Sequence, residues 1–464
     1  MANKNILTYN LKVGQIEQAY YAPVATIPNT NPPIAISTLF CFLSRIDPWG
    51  DDNDPEQPTQ DQKYIKGVFK NMFVAKQIKS TDISPVTERI DWTTGTMYNF
   101  YRDDIDMFEI NDNGLLVNKF YVRNRYDQVF KCLWNNNDGL STEEPFFQPG
   151  SYSTNNIYTG TDADGYKWKY MYTIDVGTKR KFMDATWMPI PVGQNTPNPV
   201  QTNVSTGIVP GCGDIEVINV TNGGSGYDPA NSTITVTVTG DGYGATGSVV
   251  VDGDKITDVV VTNVGANYTT ASVSITSGLG SGATAIASAS PIGGHALDPV
   301  SELGASHVMF TCEFDGNEGG YIPTDIDYRQ VGLLINPIAQ SSGVNPANGS
   351  IYKTTTDLVI AAGFGEYVSD EFVYQGTSLE AATFIGTVLS FDVASNVVKL
   401  INTTGTPTLN APVFGVISKT VRTVLNVSYP DFITFSGYLA HIQNRSGVQR
   451  SSDGIEQFRF VLGY

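Results

Sequence analysis

Ile215-Glu-Val-Ile-Asn-Val-Thr-Asn-Gly-Gly-Ser-Gly-Tyr227 returns 41 positions later as Ile256-Thr-Asp-Val-Val-Val-Thr-Asn-Val-Gly-Ala-Asn-Tyr268. In both copies Val and Ile alternate with Thr and Asn, the period of two that puts apolar side chains on one face of a strand. The Gly clusters supply the positive-φ turns that close such strands. Each copy is followed by another alternating stretch, at 233–239 and 271–276, and then by Gly-Ala-Thr, at 244–246 and 282–284. Two copies are too few for a solenoid or propeller. The stretch 200–292 therefore reads as two similar β-modules packed together.

Before the repeat lies Met188-Pro-Ile-Pro-Val-Gly-Gln-Asn-Thr-Pro-Asn-Pro199, which cannot continue a helix or a central strand and reads as a linker. Composition changes there. Trp49, Trp92, Trp134, Trp168 and Trp187 are the five tryptophans, and all precede it. Residues 1–188 carry 19 basic and 23 acidic residues, and the remainder carry 9 and 23. The net charge of −18 on 464 residues thus belongs mostly to the C-terminal part. An acidic chain with sparse Lys and Arg is a poor nucleic-acid binder, because phosphate contacts need clustered basic residues. Aromatic content of 11% with only 16% charged residues excludes general disorder. The length suggests about three domains.

A second β-rich stretch, 341–428, contains short strands at Phe364-Gly-Glu-Tyr-Val, 382–391, 396–402 and 413–417, spaced as in a small barrel or sandwich. Helix signals are few. The best covers 60–79, with Tyr64, Val68 and Met72 on one face beside Phe69 and Phe73, and a Thr59/Gln62 capping box. A shorter one covers 13–21, with Ile16 and Tyr20 on one face. The fold class is mainly β.

No apolar h-region follows Lys4, and no run approaches the ~18 apolar residues of a membrane span. Cys41, Cys132, Cys212 and Cys312 are widely spaced, so they read as reduced, inert thiols made in a cytoplasm, with no zinc site. Asp103, Asp104, Asp106, Glu143 and Glu144 read as solvated acidic loops rather than a glycosidase pair. The Asp-rich turns at 51–54, 162–165 and 252–254 lack the twelfth-position Glu of a calcium loop and read as Asx turns. His295, His307 and His441 are isolated and take structural roles. No phosphate loop or nucleophile elbow occurs. The expectation is a non-enzyme with no cofactor and no metal. Asp164-Gly-Tyr-Lys-Trp-Lys-Tyr-Met-Tyr172 places Tyr166, Trp168, Tyr170 and Tyr172 on one face of a strand, which packs on the protein's own core or serves as a protein interface or a sugar-stacking platform.

Thr38-Leu-Phe-Cys-Phe-Leu-Ser-Arg-Ile-Asp-Pro-Trp49 resembles the opening strand and Pro-Trp turn of the baseplate wedge protein of T-even-like contractile-tailed phages, the gene-eight product family. Arg89-Ile-Asp-Trp92 with Gly95 and Tyr98, Val129-Phe-Lys-Cys-Leu133 and the Asp164–Tyr172 stretch resemble that family's segments in the same order. So do Tyr328-Arg-Gln-Val-Gly-Leu-Leu-Ile-Asn-Pro337 and the end, Ser436-Gly-Tyr-Leu-Ala-His-Ile-Gln-Asn-Arg445 with Glu456-Gln-Phe-Arg-Phe460. Tyr438 and Gln443 depart from it, standing where the family tends to carry Glu. The likeness covers about 10–190, 300–337 and 430–464; the stretches at 200–292 and 340–428 have no counterpart and look like insertions.

The resemblance implies a discontinuous β-sandwich core with a few short helices. Its parts are 1–190, 293–340 and a C-terminal hairpin over 429–464, with inserted β-domains at 200–292 and 341–428. It implies a structural virion protein, a baseplate wedge subunit made in the host cytoplasm. Its partners would be a second copy of itself and other wedge proteins, with no nucleic acid and no membrane. Interface or fold anchors are Trp49, Arg89, Trp92, Trp168, Tyr170, Arg329 and Arg445. The alternative is a glycan-binding adhesin or receptor-binding tail component using the inserted modules, with Tyr227, Tyr243 and Tyr268 stacking on sugar.

Overall fold

The computed structural model describes residues 37–112, 114–148, 164–192, 213–291 and 293–463, with the strand Ile157–Thr159 and short pieces between 11 and 35. Cys212, Asp162 and most of the Pro-rich linker lie outside the described residues, as does Tyr20 of the short helix. Leu11, Val13–Ile16 and Gln18 of that helix are helical, with Ile16 buried.

The chain is mainly β and forms two compact units, each built from separate segments. The first comprises Met1–Glu17, Ser84–Met309 and Val461–Tyr464; the second comprises Gln18–Ile83 and Phe310–Phe460. The boundaries at 83/84 and 309/310 fall inside the expected core pieces 1–190 and 293–340.

In the second unit a five-stranded antiparallel sheet runs Ile351–Lys353, Met72–Ile78, Leu39–Ser44, Asp327–Ile335, Tyr438–Gln449. The helix Gln62–Asn71 packs Val68, Tyr64 and Phe69 on the cluster of Phe40, Phe42 and Leu334. This helix is half the expected length. Its cap is Asp61, whose carboxylate accepts from Tyr64 N at 2.9 Å, not a Thr59/Gln62 box. From Met72 the chain is a strand, because its edge pairs with Leu39–Ser44 and buries Phe73, Val74 and Ala75 completely. Strand pairing on both sides outweighs the helical spacing of Tyr64, Val68 and Met72.

The same unit holds a closed six-stranded antiparallel barrel: Thr356–Ile360, Val397–Gly405, Ala382–Asp392, Phe372–Gly376, Pro412–Gly415, Val421–Ser428. Leu358, Val388, Leu400 and Val424 fill it. It begins at Thr356, since Ile351–Lys353 belongs to the five-stranded sheet. The expected strand at 364–368 is a loop. Gly365 has φ of 88°, and the Arg422 guanidinium ties the carbonyls of Ala361, Phe364 and Gly365. No hairpin forms at the C-terminus either. Tyr438–Gln449 pairs with Asp327–Ile335, and Ile455–Gly463 joins His307–Asp315 in a different sheet.

In the first unit a four-stranded sheet runs Tyr121–Arg123, Gln128–Trp134, Lys167–Thr173, Ile157–Thr159. The repeat folds beside it as a small two-layer module. One layer is Tyr243–Asp252, Lys255–Ala266, Ile218–Ser225, Ser281–Ala287; the other is Ile234–Gly240 with Ala271–Ser277. The copies are related by an internal two-fold. Ile218 pairs with Val259, its own counterpart 41 positions on. Ala245 pairs with Val264 as Ala283 pairs with Gly223. The Tyr268 hydroxyl accepts from Ala245 N (3.2 Å) as the Tyr227 hydroxyl accepts from Ala283 N (3.1 Å). Gly242 and Gly280 have no room for a Cβ: it would stand 2.5 Å from the Tyr268 ring and 2.4 Å from the Tyr227 ring.

Candidate functional site: a buried ionic seam in the first unit

Strand alternation points Lys131 of Gln128–Trp134 and Lys169 of Lys167–Thr173 to the same face of the four-stranded sheet, where they are register partners. On an exposed sheet that face would meet water. Here it meets the start of the repeat module and the segment that follows it. Lys169 Nζ lies 2.8 Å from Glu216 Oε2, and both side chains are wholly buried. Lys131 Nζ lies 3.1 Å from Glu302 Oε2, 3.0 Å from His295 Nδ1 and 4.0 Å from the centre of the Tyr101 ring. The His295 backbone N–H donates to Glu216 Oε1 at 3.3 Å, linking the two pairs.

Glu302 sits in the short helix Pro299–Glu302, which is capped by the Asp298 carboxylate. At the margin, Lys167 Nζ reaches Asp258 at 2.7 Å, and Asn219 donates to the Leu133 carbonyl at 3.0 Å. The Asp214 and Ser290 backbones and side chains bond each other where the module begins and ends.

Burial dominates the electrostatics. It pushes Lys131 down from its ordinary value, with Glu302 opposing. It also pushes His295 down, helped by Lys131, so the imidazole is neutral. Burial alone would raise Glu302, but the Lys131 ammonium beside it outweighs burial and holds the carboxyl at about 2. Two cations thus face two anions around a neutral imidazole, closed to solvent. Such an arrangement fixes the orientation of the module on the sheet, because any other seating strands a charge in low dielectric. It presents no reacting atom to a substrate.

The sequence-derived anchors fall into two sets. In the first unit Trp168 is fully buried, stacked on Tyr166 (5.3 Å between centroids, 16°) and edge-on to Tyr98. Tyr170 stacks on Phe147 at 4.2 Å. Trp92 donates through Nε1 to Ser141 Oγ at 3.0 Å, and Arg89 grips Asp91 and the Asp184 carbonyl. In the second unit Trp49 Nε1 donates to the Arg445 carbonyl at 2.8 Å. The Arg445 guanidinium lies 5.6 Å from the centre of the Phe458 ring, and Arg329 pairs with Asp52 and Asp327. All seven hold their own fold. Trp168, Tyr170 and Arg329 are buried and cannot anchor a partner directly.

Tyr227 and Tyr268 are 2% and 4% exposed, and their hydroxyls are engaged with backbone, so a sugar ring cannot stack on them. Tyr243 alone of the three is exposed. Asp104 is paired with Arg102, and Glu144 with Arg125. Among the described residues no group of His, Cys, Asp and Glu is arranged for a metal, and no helix is long and apolar enough to cross a membrane. Cys41, Cys132 and Cys312 are free and buried.

Spacing along the chain does not single out Lys131, Lys169, Glu216 or Glu302 as a group, and it leaves His295 isolated. The one available signal was Lys at alternate positions between large aromatics in Asp164–Tyr172, which sets cations opposite an aromatic face. The chain matches no protein-family model and no curated protein.

Proposed function

We propose that this chain is a structural virion protein, a wedge subunit of a contractile-tail baseplate. It acts through protein–protein interfaces, as a homodimer and with other wedge proteins. The observation that supports the reading best is the convergence of the segments bearing the resemblance. Arg89–Trp92, Val129–Leu133 and Asp164–Tyr172 meet in the first unit: Cys132 is the register partner of Trp168, and Trp92 N donates to the Arg123 carbonyl. The Asp164 carboxylate accepts from the backbones of Thr142 and Glu143 beside Ser141, the partner of Trp92. In the second unit the strand after Thr38 pairs with the Tyr328 segment, which pairs with the Ser436–Arg445 segment. Trp49 closes back on Arg445.

Scattered motifs that meet in this way specify a framework rather than a reaction centre. The interior commitments of the anchors and the enclosed ionic seam suit a rigid assembly part, whose work is done by buried surface at its contacts. Labelling intact virions with gold-conjugated antibody against this chain tests the reading. Label at the baseplate is expected. Label confined to fibres, or absent from virions, would contradict it.

A further inference from the structure

Beside the seam, the first unit holds a cleft of about 720 Å3. One wall is Phe100 with Arg102, Asp103 and Asp104. Asp103 accepts from Ala289 N at 2.8 Å, and Arg102 is held by Asp104 through two bonds of 2.8 and 2.6 Å, so this wall is ordered. The other wall is made by the module. Its lining residues are consecutive, 269–273 and 285–288, rather than alternate. Alternate residues would mean that the cleft meets the face of a sheet. Consecutive residues mean that it meets the edges of two strands. Ala271–Ser277 is paired only with Ile234–Gly240, and Ser281–Ala287 only with Ile218–Ser225. The two strands are joined by the turn at 278–280, and their ends away from that turn line the cleft, where either unpaired edge is a template for another strand.

We infer that this cleft binds an extended, basic peptide segment of a partner protein by strand addition. The free edges supply main-chain hydrogen bonds, and alternate side chains of the ligand enter the shallow gap over Ala271, Val273, Ala285 and Ala287, which are small and half-buried. Edge strands of this length accommodate about five ligand residues, roughly 17 Å. Charge selects the ligand. Arg102 is already matched by Asp104, leaving Asp103 in the wall and Asp241, which accepts from the backbones of Thr269 and Thr270 at the cleft's end, as excess negative charge. A saccharide would prefer an open aromatic face, whereas Phe100 is engaged edge-on with Trp134. The inference does not depend on the virion reading.

The test uses the full chain and a fluorescein-labelled heptapeptide, Thr-Val-Lys-Val-Lys-Val-Thr, followed by anisotropy. Saturable binding is expected. It should weaken roughly tenfold or more when both Lys become Glu, and as much when the central Val becomes Pro, which cannot join a ladder. In the protein, Ser272→Pro should abolish binding, and Asp104→Lys, at an exposed position, should weaken it several-fold. The internal two-fold supplies a control: Thr235→Pro, on the counterpart edge of Ile234–Gly240, should leave the affinity unchanged. If Ser272→Pro misfolds, Asp104→Lys and the peptide series decide. No binding at millimolar protein would overturn the inference. So would equal binding of the Glu and Pro peptides, or displacement of the peptide by neutral chito-oligosaccharide at the same cleft.

Discussion

Replacing Lys169 with Met removes one partner of a wholly buried pair whose N–O separation is 2.8 Å. Met fills much the same volume, so the loss is electrostatic rather than a cavity. Glu216 keeps only the His295 N–H at 3.3 Å among its described hydrogen bonds, and its charge stays out of water. Stranding a buried charge costs about 3–5 kcal/mol, whereas replacing both partners by apolar groups is often nearly neutral. Lys169→Met should therefore cost about 3–5 kcal/mol, and Lys169→Met with Glu216→Leu should cost less than either single change. Urea unfolding followed by tryptophan fluorescence suits the question, because four of the five tryptophans lie in the first unit. With two units the curve need not be two-state, so the transition carrying the Trp signal is the one to compare. A single-variant cost below about 1 kcal/mol, or a double variant equal to the sum of the singles, would refute the reasoning.

Trp168→Ala empties a fully buried site and should cost about 3–5 kcal/mol; a soluble, assembly-competent variant of unchanged stability would remove Trp168 from the anchors. Tyr227→Phe and Tyr268→Phe each leave a backbone amide without its acceptor, part-buried at Ala283 and buried at Ala245, so each should cost about 1–3 kcal/mol; a cost in one and none in the other would break the two-fold equivalence. The seam also predicts acid sensitivity. His295 is depressed below 6.5 in the fold, so the unfolded chain binds the extra proton and stability falls as pH drops under about 6.5. Glu302, held at about 2 against an ordinary 4.5, contributes fully above about pH 4.5 and loses its contribution as pH falls toward 2. Melting temperature against pH should show both phases, and His295→Gln should shrink the upper one, to which His441, also pushed down by burial, contributes; an unchanged upper phase would assign it to His441.

The repeat was legible because its turns demand Gly and its strands demand alternation, so the 41-residue offset survives as letters. The helix over 60–79 was half legible. Its first two turns carry Val68 and Phe69 to the core, but nothing local in Met72-Phe-Val-Ala reveals that Leu39–Ser44 waits to pair with it. The loop at Phe364 depends on Arg422, 58 positions away, which sequence alone does not connect. The seam was the least legible. Lys131 and Lys169 stand at alternate positions that read as a wet strand face, and they are buried only because a distant module covers that face. The same covering turned Tyr227 and Tyr268, conspicuous as possible stacking residues, into internal struts.

The most direct test of the central claim is the mass of the purified protein in solution, alone and mixed with other wedge proteins. The account predicts a species near twice the 50.2 kDa chain mass that passes quantitatively into a larger complex on mixing. A protein that remains at 50.2 kDa alone and in every mixture would contradict it.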